Sequence, residues 1–292
     1  MSLALHAPGV DPALVLRPLA MMPGDPTIRV ERRQAVRVTL TPAGPGIVRV
    51  KWGESPGVIT VDAEGDGADW LMARAARLVG VEDDPSSFAP TDPVVRRLWA
   101  RFSADRVGST STVWHDLAWT ITQQRVHRRD AALQWKQLVK SLGEPCPGDE
   151  GIFTPPDPDR LARTAPWSLR ALGIDERRAT TLIAAARVAR RLHGLADAPL
   201  ADAQRILQTI PGVGPWTVSC LSAFTWGDPD TVITGDSGIP SLIASTLTGA
   251  RRADDAAMLK LLEPYRPHRY RVLRLALAAR TRPASQRAGN LM

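Results

Sequence analysis

At 292 residues the chain is long enough for two domains or one large one, and its 44% hydrophobic content supports real cores. No run approaches the roughly eighteen apolar residues of a membrane span, and Met1–His6 lacks the basic and apolar regions of a signal peptide. A formal net charge of +7 favours a polyanionic partner, while the two cysteines, Cys146 and Cys220, make neither a metal spacing nor a disulfide framework.

Residues 1–66 show little helical periodicity. Arg29–Leu40 and Gly46–Trp52 alternate apolar with polar residues, as half-buried strands do, and Val58–Val61 reads as another short strand. The turn clusters Pro42–Gly46 and Gly53–Gly57 separate them. Asp69–Val79 then sets Trp70, Leu71, Ala75 and Leu78 at helical spacing. Asp83–Pro93 is polar and proline-rich and reads as a linker between two parts. From there helices dominate: Pro93–Phe102, one long stretch over Trp114–Leu142, a proline-led start at Phe153–Pro156, and Ser168–Ile174 ended by Gly173. Glu176–Leu192 places Ala179, Leu182, Ile183, Ala186, Ala189 and Arg190 along one stripe, and Gly194 ends it. Positive charge is uneven. Arg125, Arg128, Arg129, Lys136 and Lys140 face only Asp130, and Tyr265–Arg282 holds six arginines and no acid. Both stretches read as contributions to a phosphate-binding surface.

Ala203–Ile210 has helical spacing, and Pro211-Gly212-Val213-Gly214 breaks it. Two glycines supply the positive φ values of a tight turn and let backbone approach a ligand closely. Pro215 suits the first turn of the next helix. The free N–H groups and positive dipole end of that helix make an anion site. No Lys-Ser/Thr pair follows the glycines, which excludes a P-loop, so a phosphate of nucleic acid is the expected anion. Thr231–Gly235 leads to Asp236, the one acid of Ile233–Ile239. Asp228 and Asp230 read as turn residues, with Asp230 the second catalytic candidate. Ile239–Leu247, Ala256–Leu262 and a last stretch through Leu273, Leu275 and Leu277 are helical, and Thr281–Met292 reads as a loose tail.

The run Ile210–Thr217 (Ile-Pro-Gly-Val-Gly-Pro-Trp-Thr), followed about twenty residues later by Gly235-Asp236, resembles the signature of the helix-hairpin-helix (HhH-GPD) DNA glycosylases. Within them it is most similar to the AlkA type, and the similarity runs from about Trp114 to Arg282. The resemblance implies an α+β fold. A small antiparallel sheet with helices would occupy residues 1–88, and a mainly helical glycosylase region residues 89–292, as two helical subdomains with a cleft between them. It implies a cytoplasmic, nucleoid-associated monomer that binds duplex DNA containing a damaged base and hydrolyses the N-glycosidic bond of alkylated purines in base excision repair.

It also implies roles. Asp236 is the catalytic carboxylate, which would stabilise an oxocarbenium-like sugar or orient water, and can cap the following helix with its other oxygen. Gly212, Val213, Gly214 and Thr217 would hold the DNA backbone. Gln123, Gln124 and Arg125 would lie on the minor-groove side, with Arg125 as the wedge that fills the gap left by an everted base. Trp216, Cys220 and Leu277 would line the base pocket. The carbonyls of Gln208, Ile210 and Val213 would hold a monovalent cation, Na or K. Bifunctional members carry a nucleophilic lysine where this chain has Trp216, so a hydrolase without lyase activity is expected. The lack of a four-cysteine tail implies no iron–sulfur cluster, and beyond the monovalent cation no cofactor is expected. Cys220 and Leu277 stand where the AlkA type places aromatics, which makes a cation–π cage weaker, and Ser237-Gly238 replaces a bulky or basic residue, which implies a different substrate range. Two other readings stay open: a non-catalytic helix-hairpin-helix DNA-binding protein, and a glycosylase with a different lesion preference such as 8-oxoguanine.

Overall fold

The computed structural model describes residues 2–20 and 24–281. The expected loose tail after Thr281 lies outside the described residues. Five strands form one antiparallel sheet in the order β1-β5-β4-β3-β2: β1 (Ser2–His6), β2 (Ile28–Val30), β3 (Gln34–Thr41), β4 (Gly44–Trp52) and β5 (Val58–Glu64). Short helix α1 (Pro12–Leu16) precedes β2, and α2 (Ala68–Met72) and α3 (Ala75–Leu78) follow β5.

The stretch read as one strand over Arg29–Leu40 is two. The polar Glu31–Arg33 segment turns the chain, Glu31 N–H bonds the Gln34 carbonyl at 2.8 Å, and Ile28 pairs with Arg37. β1 went unseen in the sequence because it is a five-residue edge strand with little burial. The helix expected over Asp69–Val79 breaks into α2 and α3.

The helices are α4 (Pro93–Phe102), α5 (Val113–Thr122), α6 (Arg128–Leu142), α7 (Pro158–Ala162), α8 (Pro166–Arg170), α9 (Glu176–His193) and α10 (Leu200–Leu207). They continue with α11 (Pro215–Phe224), α12 (Ile239–Thr248), α13 (Asp255–Leu262) and α14 (Arg269–Thr281). Two helical cores result. One joins α5–α10 through residues such as Trp114, Leu138, Leu182 and Leu207, and the other joins α4 with α12–α14 through Phe102, Ile243, Met258 and Leu273. α11 belongs to both: Val218 and Leu221 enter the first core, Cys220 and Ala223 the second. The hairpin that begins α11 therefore stands at the seam between them. Arg190 leaves the α9 stripe, for it is exposed and pairs with Asp159 at 2.6 Å.

The sheet meets the helices through a polar seam. On β3, Ala35, Arg37 and Thr39 share the face turned toward α5, while Val38 on the opposite face packs with Cys146 and Ile152. Arg37 Nη2 donates to Thr112 Oγ1 at 2.8 Å and Asp116 Oδ1 at 3.1 Å, and lies 3.2 Å from His115 Nδ1. Asp116 Oδ2 also accepts the Thr225 hydroxyl at 2.7 Å, and the Thr110 hydroxyl closes on the same oxygen. Burial, and secondarily the Arg37 charge, hold the His115 ring well below the usual histidine range, so it is neutral. Strand alternation alone would have placed Arg37 in solvent.

The segment read as a linker is pinned rather than free. Phe88 meets Trp99 and His268 edge-on at 5.2 and 5.3 Å, and Asp83 receives both Arg271 Nη1 and Nη2, at 2.8 and 2.7 Å.

Candidate active site and nucleic-acid interface

α10 ends at Leu207, and turn bonds from Thr209, Ile210 and Val213 N–H carry the chain round to Pro215. Only one of the two glycines uses a left-handed backbone. Gly212 has φ of 86°, and a Cβ there would lie 2.0 Å from Thr181 Oγ1, so the turn sits directly on α9. Gly214 is extended (φ −105°, ψ −177°) and serves as the N-cap of α11, and a Cβ there would meet nothing within 4 Å. Its bareness leaves the helix N-terminus open to a ligand. Val213 is buried and anchors the hairpin.

The long helix expected over Trp114–Leu142 is interrupted at 123–127 between α5 and α6. The break falls on the residues singled out for the minor-groove side. Arg125 is exposed and takes φ of 57°, a conformation L side chains rarely adopt outside turns. Gln124 does not point outward. Its Nε2 donates to the Gly212 carbonyl at 3.1 Å and to Thr217 Oγ1 at 2.9 Å, tying this turn to the hairpin. Thr217 is buried, so its hydroxyl is committed to Gln124 and only its backbone N–H belongs to the first turn of α11. Gln123 folds back on α5, with Nε2 3.4 Å from the Trp119 carbonyl. Sequence reading missed Arg178, whose buried guanidinium donates to the Thr122 carbonyl and to Gln134 Oε1, both at 2.7 Å, capping the C-terminus of α5. Its Asp-Glu-Arg-Arg context reads only as a charged helix start.

Asp236 lies beside the hairpin, half-buried. Its Oδ1 accepts Gly238 N–H at 2.8 Å and Ile239 N–H at 2.9 Å, which caps α12. Its Oδ2 accepts the Trp216 indole N–H at 3.2 Å. The cap and the second face of the carboxylate thus coexist, and the hairpin's own Trp216 aims that second face. Gly235 has φ of 79°, and its N–H bonds Asp255 Oδ2 at 2.8 Å. One turn along α11, Cys220 is buried, and burial with the nearby Asp236 charge pushes its thiol far up, so it is no thiolate. Leu277, the third residue assigned to a base pocket, is 40% exposed on α14.

Asp230 is bound elsewhere. Arg269 grips it through Nε–Oδ1 at 2.9 Å and Nη2–Oδ2 at 2.6 Å, and Arg266 adds a contact at 3.3 Å, so it does not stand free as a second catalytic carboxylate. Asp228 is a turn residue, with Oδ1 accepting Asp230 N–H at 3.0 Å. The arginines of 265–282 also correct the charge reading. Arg269 pairs with Asp230, Arg271 with Asp83, and Arg274 with Asp105, acids far away in sequence, so these guanidiniums tie the fold together rather than face a phosphate. Arg125, Arg128, Arg129, Lys136 and Lys140 are exposed. The Gln208, Ile210 and Val213 carbonyls all lie on the hairpin; Ile210 O takes one bond, from Val213 N–H at 3.0 Å, and keeps a second lone pair. Among the described residues no group of three or more His, Cys, Asp or Glu side chains could hold a metal, and no helix is long and apolar enough to cross a membrane.

No family model matches the chain. It is 25% identical over 217 residues to a "probable bifunctional transcriptional activator/DNA repair enzyme AlkA" of Mycobacterium tuberculosis, a match covering 66% of this chain and 42% of that protein. It is 35% identical over 83 residues to DNA-3-methyladenine glycosylase 2 of Escherichia coli, covering 28% of this chain and 29% of that one. The match therefore spans less than half the length of either curated relative. Among solved structures, the 3-methyladenine DNA-glycosylase from Archaeoglobus fulgidus superposes with a TM-score of 0.76 at 20% identity, over 96% of this chain and 98% of that chain. An 8-oxoguanine glycosylase/lyase from Clostridium acetobutylicum, bound to double-stranded DNA, superposes at 0.68 with 9% identity, over 94% and 92%. At these identities the structural likeness establishes the fold.

Proposed function

We infer that this chain, an AlkA-type member of the helix-hairpin-helix glycosylases by fold and by sequence match, hydrolyses the N-glycosidic bond of damaged, alkylated purines in duplex DNA. The observation that carries the reading is Asp236, held beside the hairpin with one oxygen capping α12 and the other turned to Trp216.

The reacting bond is out of reach in stacked DNA, so the nucleotide must leave the duplex. The open N-terminus of α11 would take a backbone phosphate. The strained, exposed Arg125 would enter the gap in the stack, with Gln124 keeping the two contacts in fixed register. A monovalent cation on the Gln208, Ile210 and Val213 carbonyls would supply positive charge beside that phosphate. The Asp236 carboxylate would then face the sugar as positive charge develops there, or orient the attacking water. An indole cannot form a Schiff base, so Trp216 in the nucleophile's place makes the enzyme a hydrolase without lyase activity. The sparsely aromatic surroundings, with Cys220 and Leu277, favour recognition of the damaged base by shape over a cation–π cage.

Release of free base from alkylated duplex DNA by wild type and Asp236→Asn tests the reading. Loss of about a thousandfold in the variant, with DNA binding kept, is expected. Equal release by both would remove Asp236 from the mechanism, and DNA binding without release by either would make the protein a binding module. A covalent adduct trapped by borohydride would overturn the monofunctional assignment.

A further inference from the structure

The carboxylate of Asp236 is fixed by three donors, but the backbone that carries it enters through Gly235, a residue with no side chain to hold it in place. Gly235 stands in the left-handed region (φ 79°), and its N–H is anchored by Asp255 Oδ2 at 2.8 Å. Asp255 belongs to the first turn of α13, following the N-cap Asp254, where the helix dipole favours negative charge. Its other oxygen, Oδ1, is shielded from solvent and has no hydrogen-bond partner among the described residues. A half-buried acid with one orphaned oxygen is a costly way to satisfy one backbone N–H.

We propose that Asp255 is a positioning residue for Asp236. By holding Gly235 N–H it fixes the direction from which the carboxylate meets Trp216 and the sugar. The proposal rests on the glycosylase reading for its kinetic consequence, but its structural core is independent of it. The role needs an acceptor and not a charge, so the amide oxygen of Asn would serve and Ala would not.

The test compares wild type, Asp255→Asn and Asp255→Ala in single-turnover base release, with affinity for DNA containing an abasic-site analogue measured in parallel. The Trp216 indole N–H resonance, assigned with Trp216→Phe, reports the placement of Asp236 without any turnover. Asp255→Ala is expected to slow release about tenfold to a hundredfold, with affinity within about twofold and the indole resonance displaced. Asp255→Asn should restore both rate and resonance. An unmoved resonance in Asp255→Ala would overturn the proposal. So would a loss in Asp255→Asn equal to that in Asp255→Ala, which would mean the charge acts on the sugar directly. If wild type releases no base but the resonance moves and is rescued as stated, the glycosylase reading fails and the positioning role stands.

Discussion

Gln124→Ala removes a side chain that joins the 123–127 turn to the hairpin. Two hydrogen bonds go, at 3.1 and 2.9 Å, one to a backbone carbonyl and one to a hydroxyl. Each has a net worth of about 0.5–1.5 kcal/mol. Gln124 is half-buried, so water replaces part of this, and a fall of about 1 kcal/mol in folding stability is expected. The larger effect falls on DNA. Two contacts held in register bind as one unit, whereas two loosened contacts lose effective concentration. An increase in Kd of about five- to tenfold for duplex carrying an abasic-site analogue follows, equivalent to about 1–1.4 kcal/mol. Because no charge is removed, the slope of log Kd against log salt should stay unchanged. Fluorescence anisotropy across a salt series reads both quantities. A lower melting temperature with unchanged Kd would show that the bond serves folding alone. A shallower slope would show that Gln124 acts through phosphate contacts and not through register.

Gly212→Ala forces a Cβ to within 2.0 Å of Thr181 Oγ1 at φ of 86°, and should cost at least about 2 kcal/mol in chemical denaturation. A loss under about 0.5 kcal/mol would show that the hairpin moves freely off α9. Asp83→Ala leaves Arg271 buried and unpaired, and a loss of about 3–5 kcal/mol is expected by the same measurement. The pH dependence follows from His115, whose folded-state pKa lies well below its ordinary value because of burial. Below about pH 6.5 the unfolded chain takes up a proton that the folded chain refuses. His115 therefore contributes stability in full above that pH and loses it as the pH falls toward the folded value, by about 1.4 kcal/mol per pH unit. Urea titrations between pH 6.5 and 5.5 should show this slope in wild type and its loss in His115→Gln; equal slopes would remove His115 as the source.

The hairpin, the lone acid after it and the helix ends were legible because each follows from local chemistry: Pro-Gly-Val-Gly cannot continue a helix, and Gly173 and Gly194 stop one. What was not legible depends on partners far apart in sequence. Arg269, Arg271 and Arg274 looked like a phosphate surface because their acids, Asp230, Asp83 and Asp105, lie in other segments. Gln124 looked outward-facing because the chain gives no sign that Gly212 and Thr217 return beside it. Asp255 drew no notice for the same reason. The break at Arg125 had no glycine or proline to announce it, and the Arg178 guanidinium that caps the end of α5 at the Thr122 carbonyl comes from another helix.

The salt link from Arg37 to Asp116 bears on how such proteins can be recombined. A chimera that grafted these helices onto strands without an arginine at the place of Arg37 would bring Asp116 to a seam lacking its guanidinium, and a carboxylate stranded there opposes assembly. Strands and helices here would have to be exchanged together, with both ends of that pair transplanted at once.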